Sequence, residues 1–196
     1  MNILNNEEII QKIVNNIENN NLSYFQYLHN GQCKSGPCED ASKPKDMCCA
    51  PFVWCIHASD KLHSLPKHPN CDCRYKPVVT KPLGSISKRQ PAPDVWLKLY
   101  GKLPDYYIEY EEARKLGWKP GINTVAGKIP GKMIGGEIYF NRKHILPEKK
   151  RRVWKHCDID YEEGKRKSGR LYYSSDGLMF YSPNHLDGNV EVYQII

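Results

Sequence analysis

"VWKHCDIDYEEGKRKSGRLYYSSDG", running from Val153 to Gly177, decides how this chain is read. Side chains on a strand alternate between two faces. If Val153, Cys157 and Ile159 turn to a core, then Trp154, His156 and Asp158 turn to the opposite face. In the strand that follows, Leu171 and Tyr173 point inward and Arg170 points outward. One surface therefore receives His156 together with the arginines of the Arg166–Arg170 stretch, which suits an anion. Asp176-Gly177 is a strong turn signal joining that strand to the next as a hairpin.

Working outward, strand-like runs are "GEIYFN", "RVWKHCDI", "RLYYSS", "LMFYS" and "NVEVYQI". Two short helices precede them: one capped by Asp94 and running to Tyr100, the other from Glu109 to Leu116, stopped by Gly117. Helices first and strands afterwards predict an α+β domain over 94–196, with N-terminal helices packed on a twisted antiparallel sheet. About a hundred residues suffice for one core of this kind. "GKIPGKMIGG" lacks the spacing of a phosphate-binding loop and reads as a tight loop.

Upstream the composition changes. "PVVTKPLGSISKRQPAP", 77–93, holds four prolines among Ser, Gly and Lys and reads as a polar linker. Residues 31–76 form a small module rich in Cys and His, and residues 1–30 carry an amphipathic helix. In that helix Ile10, Ile13, Val14 and Ile17 recur at helical spacing. Seven of the eight cysteines lie between Cys33 and Cys73. Such crowding fits either disulfides or a metal, and without a secretory signal the metal reading gains ground.

The 196-residue chain carries a formal charge of +7, which favours acidic partners, nucleic acid being the commonest. Between Arg142 and Arg170, eleven Lys or Arg face five Asp or Glu, a net +6 on a short stretch. No window is apolar enough to span a bilayer, so no membrane partner is expected. The first residues lack the pattern of a signal peptide. The expectation is synthesis in the cytoplasm, with phage delivery or a non-classical route if the protein leaves the cell.

His185, in the loop "SPNHLDG", adds a second histidine to the charged face. Two histidines and two arginines suit phosphoryl transfer without a metal. One imidazole removes a proton, the other supplies one, and fixed cations meet the charge that develops. An arginine offers a rigid fork to phosphate and keeps its proton. When the substrate is RNA the nucleophile is its own 2′-OH.

From about Asp94 to Tyr193 the chain resembles the barnase family of bacterial guanyl-preferring ribonucleases. The residues that carry the resemblance are "YGKLPDYYI", "EEARKLGW", "PGKMIGGEIYFNR", "VWKHCDIDY", "SGRLYYSSDG" and "NH". It implies an endoribonuclease that cleaves single-stranded RNA through 2′-OH attack to a 2′,3′-cyclic phosphate, with no cofactor for catalysis. It also implies that Arg166 and Arg170 bind phosphate, that His185 is the general acid and that Asn141 and Arg142 belong to the loop that reads guanine. Trp154 and Asp158 match structural positions.

Four positions depart from the family. His156 stands in place of the catalytic glutamate, Tyr110 in place of an active-site lysine, Lys143 in place of the glutamate that grips guanine, and Glu137 in place of an aspartate. His156 is then the expected base, with an acid-side limb near its reference pKa of about 6.5 that Arg166 and Arg170 pull somewhat lower and Glu137 pushes back up. Glu137 could orient it or act as base itself. The implied partners are RNA and a barstar-like inhibitor covering Arg142, Arg166, Arg170 and His185. The competing expectation is a decayed ribonuclease fold that only binds RNA.

"LPKHPNCDCRYKPV" is similar to the closing motif of phage Mu F-like head morphogenesis proteins. That similarity suggests a capsid or delivery partner. Cys33, Cys38, His68, Cys71 and Cys73 offer soft ligands suited to a structural zinc.

Overall fold

The computed structural model describes residues 24–28, 56–58, 74–161, 164–186 and 191–196. In chain order the elements are β1 (Tyr24–Leu28), β2 (Ile56–Ala58), β3 (Arg74–Pro77), β4 (Val79–Lys81), α1 (Pro93–Tyr100), β5 (Tyr107–Ile108), α2 (Tyr110–Lys115) and α3 (Val125–Lys128), followed by β6 (Met133–Tyr139), β7 (Trp154–Asp158), β8 (Arg170–Ser174), β9 (Met179–Ser182) and β10 (Tyr193–Ile195). They fall into two compact units. The described residues of one are 79–140, 151–161, 164–186 and 191–196; those of the other are 24–28, 56–58, 74–78 and 141–150. No helix among the described residues is long and apolar enough to cross a membrane.

The larger unit is built on a sheet of order β4-β10-β9-β8-β7-β6-β5. It is an α+β arrangement, but the sheet is mixed: β4 runs parallel to β10 and β5 parallel to β6, around an antiparallel centre. Alternation divides its faces. Cys157, Ile159, Leu171, Met179 and Ile195 pack with Leu97 of α1 and with Ile86. At about 25 cal/mol per Å² of apolar surface removed from water, this layer is the main stabilising term on its side. Val153 departs from the expected inward position: it lies just before β7 and is 44% exposed. A second cluster joins Ile108, Ala113, Trp118, Val125, Met133, Ile134 and Tyr161, where α2 and α3 meet β6.

Two corrections concern backbone. "MIGG" is not a loop but the start of β6, and it bulges: Gly135 pairs with Cys157 while Glu137 pairs with His156. A Cβ at Gly135 would collide with Cβ of Cys157 and sit 2.6 Å from Cδ1 of Tyr107, and Gly136 has φ +105°. The extra residue lets Gly135 lie on the core face and Glu137 on the opposite one, as bulges do. Asp94 is not a helix cap. Ala92 holds that position, and Asp94 is fully buried with its Oδ2 accepting a 2.7 Å hydrogen bond from the Gly84 N–H.

The stretch read as a linker is built into this unit from Val79 onward. β4 completes the sheet edge, Ile86 enters the core, and Arg89 donates to the Gly131 carbonyl at 2.6 Å while its guanidinium lies over Tyr106. Prolines signalled irregular backbone correctly. They could not show that this backbone has partners.

In the smaller unit β1 is central, antiparallel to both β2 and β3. The helix expected over residues 5–20 and the cysteines from Cys33 to Cys73 lie outside the described residues; β1 and β2 fall within the stretches read as 1–30 and 31–76, and β3 runs from the second of these into Pro77, the first residue of the stretch read as a linker.

Candidate active site

Asp158 organises the polar face of β7. It is fully buried, and its two oxygens receive Nε and Nη2 of Arg166 at 2.6 and 2.8 Å. Nε of Arg170 lies 3.1 Å from the same carboxylate, and Nη1 of Arg170 donates to the carbonyls of Lys167 and Gly169. Trp118 lies under the Arg166 guanidinium, 5.6 Å from its centre. Two cations and one anion leave a net positive site whose guanidinium planes are fixed before any ligand arrives. Among the described residues, Nη1 of Arg166 and Nη2 of Arg170 are left for an anion.

His156 occupies the next position on that face. Tyr139 and Tyr172 flank its ring, with centroids 6.1 and 6.0 Å away. Among the described residues its buried Nδ1 has no hydrogen-bond partner, which leaves Nε2 as the nitrogen able to meet a substrate. Burial, and then the Arg170 guanidinium, push the imidazole down to about 4; Asp158 opposes this, while Arg166 and His185 add to it. The direction is the one expected from the two arginines, and burial carries the value further below the reference of about 6.5. Both arginines were visible in the sequence, but the burial was not.

Glu137 stands opposite His156 in the register. Its Oε1 accepts from the Tyr110 N–H, at the start of α2, so the carboxylate meets an unsatisfied helix-terminal donor. This bond engages the helix rather than the imidazole. Tyr110 packs edge-on against Trp118, at 4.9 Å, and lies within electrostatic reach of Arg166.

His185 is exposed in the segment after β9, close enough to His156 to influence its charge. Its neighbours are anchored. Ser182 Oγ donates to the Asn184 carbonyl, Ser168 Oγ donates to the Pro183 carbonyl at 3.0 Å, and the Leu186 N–H reaches Tyr172 Oη at 3.4 Å. The fold thus brings His156, Glu137, Arg166, Arg170, Tyr110 and His185 to one unit and one side of its sheet.

Asn141, Arg142 and Lys143 fall in the other unit. Asn141 is buried at φ +47°, and its amide clasps Leu146 in both directions, at 2.9 and 3.0 Å. Arg142 and Lys143 are exposed on the tip of this closed loop. Cys33, Cys38, His68, Cys71 and Cys73 lie outside the described residues; among the described ones, no group of three or more His, Cys, Asp or Glu is placed to hold a metal ion.

Asp158 read as structural from sequence and proves to be the group that fixes both arginines. Trp118, Tyr139 and Tyr172 were not singled out. Alternation alone could have found Tyr172, since it lies between inward Leu171 and Tyr173.

No protein-family profile matches the chain. Curated proteins similar to it include a ribonuclease of Heyndrickxia coagulans, 41% identical over 90 residues, which are 46% of this chain and 83% of that protein. Ribonucleases of Bacillus intermedius and Bacillus pumilus are also 41% identical over 90 residues, spanning 56% of each.

Proposed function

The chain belongs to this family of bacterial ribonucleases, and from that premise we propose that residues 94–196 form a barnase-like endoribonuclease of the toxin type. The proposed reaction is attack of the 2′-OH of single-stranded RNA on the adjacent phosphorus, giving a 2′,3′-cyclic phosphate and a free 5′-OH. The observation that supports it most directly is the Asp158-locked pair of arginines beside His156. A fixed doubly cationic cradle next to a neutral imidazole is what a phosphodiester needs when charge grows on its oxygens.

In this reading Arg166 and Arg170 hold the phosphate. Nε2 of His156 accepts the 2′-OH proton in the tautomer that carries its hydrogen on Nδ1. His185 protonates the departing 5′-oxygen. No acceptor fixes that tautomer, because Nδ1 has no partner among the described residues, so His156 is a weak and loosely defined base. Glu137 could take the proton instead through the oxygen not bound to Tyr110. The loop carrying Asn141, Arg142 and Lys143 reads the base, and Tyr110 lines the phosphate site. Catalysis in this scheme uses no metal; zinc on Cys33, Cys38, His68, Cys71 and Cys73 is a structural proposal. An acidic, barstar-like inhibitor and a phage-type delivery partner complete it.

His185→Ala tests the scheme. Loss of the acid should lower RNA cleavage on the order of 10²–10⁴-fold with the fold intact by circular dichroism. Full activity in the folded variant removes His185 from the mechanism. The identity of the base needs a different readout, because an imidazole held at about 4 falls in the range where ordinary carboxylates ionise, so the position of the acid limb does not tell the two kinds of base apart. Imidazole ionisation carries a large enthalpy and carboxylate ionisation almost none. A limb that moves with temperature identifies His156; a stationary limb that vanishes in Glu137→Gln identifies Glu137. The second reading, a decayed fold that only binds RNA, is favoured by the unpartnered Nδ1. It prevails if the folded parent binds RNA and does not cleave it.

A further inference from the structure

The loop from 141 to 150 is a closed device with a buried base and a charged tip. Asn141, Ile145, Leu146 and Pro147 are buried, whereas Arg142, Lys143 and His144 are exposed. Asn141 and His144 both adopt positive φ, at 47° and 52°, a region that residues with side chains enter only when their surroundings hold them there. Part of that hold is internal: the Asn141–Leu146 clasp, and a 2.8 Å hydrogen bond from the His144 N–H to the Asn141 carbonyl.

The rest comes from far upstream in the chain. The Ile56 N–H, in β2, donates to the Ile145 carbonyl at 2.7 Å. Ile56 and Ile145 are each 2% exposed and Leu146 is fully buried. β2 is itself paired with β1 through Gln26↔Ile56, and β1 with β3. The loop's buried segment is therefore fastened to the N-terminal three-stranded sheet. A backbone-to-backbone bond of this kind fixes where the loop sits whatever its tip residues are.

We propose that the N-terminal sheet sets base selection. In this view β2 clamps the loop at Ile145 and keeps Asn141, Arg142 and Lys143 in one conformation, so that a wrong base meets a rigid site instead of one that adapts. The inference rests on reading the loop as the base-recognition element. Ile56 then acts as a positioning residue: it touches no substrate, and its effect passes through Ile145. Preorganised contacts discriminate more sharply than mobile ones, because a loose loop loses ordering entropy with every ligand and can repack around each of them.

The test compares kcat/KM for four dinucleoside phosphates that differ only in the base 5′ to the scissile phosphate. The parent should prefer one base. Ile56→Ala in the full chain should shrink the ratio of best to worst substrate by about tenfold, while the worst substrate is cleaved at nearly the parental rate. Ile56→Val should restore the ratio. A merely destabilised protein would lose all four activities together. Asn141→Ala separates the inference from its premise. If Asn141→Ala flattens the ratio and folded Ile56→Ala does not, the clamp is overturned and the base-reading loop survives. If Asn141→Ala leaves the ratio intact, or the parent has no preference, the loop is not the reader and the clamp falls with it. Should Ile56→Ala fail to fold, amide exchange in the parent decides: the Ile56 N–H should be protected as strongly as that of Leu146, and exchange at the rate of an open amide overturns the clamp.

Discussion

The strand from Trp154 to Asp158 sends Cys157 to one face of its sheet and His156 and Asp158 to the other, and the two faces are held by different physics. On the first, Cys157, Leu171 and Met179 join a layer of apolar side chains, where the thiol is pushed up by burial. What matters there is volume. On the second, a fully buried carboxylate faces two guanidinium groups, and an imidazole has a buried nitrogen with no partner among the described residues. What matters there is charge count and hydrogen-bond geometry. Apolar packing tolerates small errors by relaxing; a buried charge cluster does not, because removing one member strands the others.

Asp158→Asn should give the largest effect. It leaves Arg166 and Arg170 facing each other with no carboxylate, at a cost of about 3–5 kcal/mol in denaturant unfolding. RNA cleavage should fall with it, since the guanidinium planes lose their anchor. A loss below about 1 kcal/mol would mean that solvent already screens the cluster.

Leu171→Ala probes the apolar face. A fully buried leucine truncated to alanine should cost about 3 kcal/mol, through lost transfer energy and a residual cavity. The pH dependence of cleavage by the folded fraction should not change. A shifted acid limb in this variant would show that the faces are coupled through the strand.

His156→Gln should have the smallest effect on stability, and only at low pH. The folded imidazole titrates at about 4, below its unfolded reference of about 6.5. As pH falls, the unfolded chain takes up this proton first. Stability present above pH 6.5 is therefore lost between about 6.5 and 4, by on the order of 2 kcal/mol once partial solvent screening is allowed for. His156→Gln should lose correspondingly less over that window in urea titrations. Asp94, raised by burial, acts in the opposite sense, so the difference between parent and variant is the quantity to read. Equal losses in both would show that His156 is solvated.

Period-two alternation in "VWKHCDI" and "RLYYSS" was enough to place Cys157, Ile159 and Leu171 on one face and His156, Asp158 and Arg170 on the other, because strand geometry alone dictates it. Asp176-Gly177 likewise marked the turn between β8 and β9, where Gly177 has φ +90°. The α+β order of elements followed from the same local signals. Three features were settled only in three dimensions. The bulge at Gly136 turns Glu137 to the face of His156, and it depends on Gly135 lying against Cys157 and Tyr107. The depressed imidazole depends on how much of the ring the surrounding fold covers. The segment 77–93 looked like a linker because proline content reports local stiffness, while from Val79 onward its strand pairing with β10 and the hydrogen bond from Arg89 to the Gly131 carbonyl join residues distant in the chain. Local pattern determines which way a side chain points. What it meets there is decided by pieces of chain that the pattern does not connect.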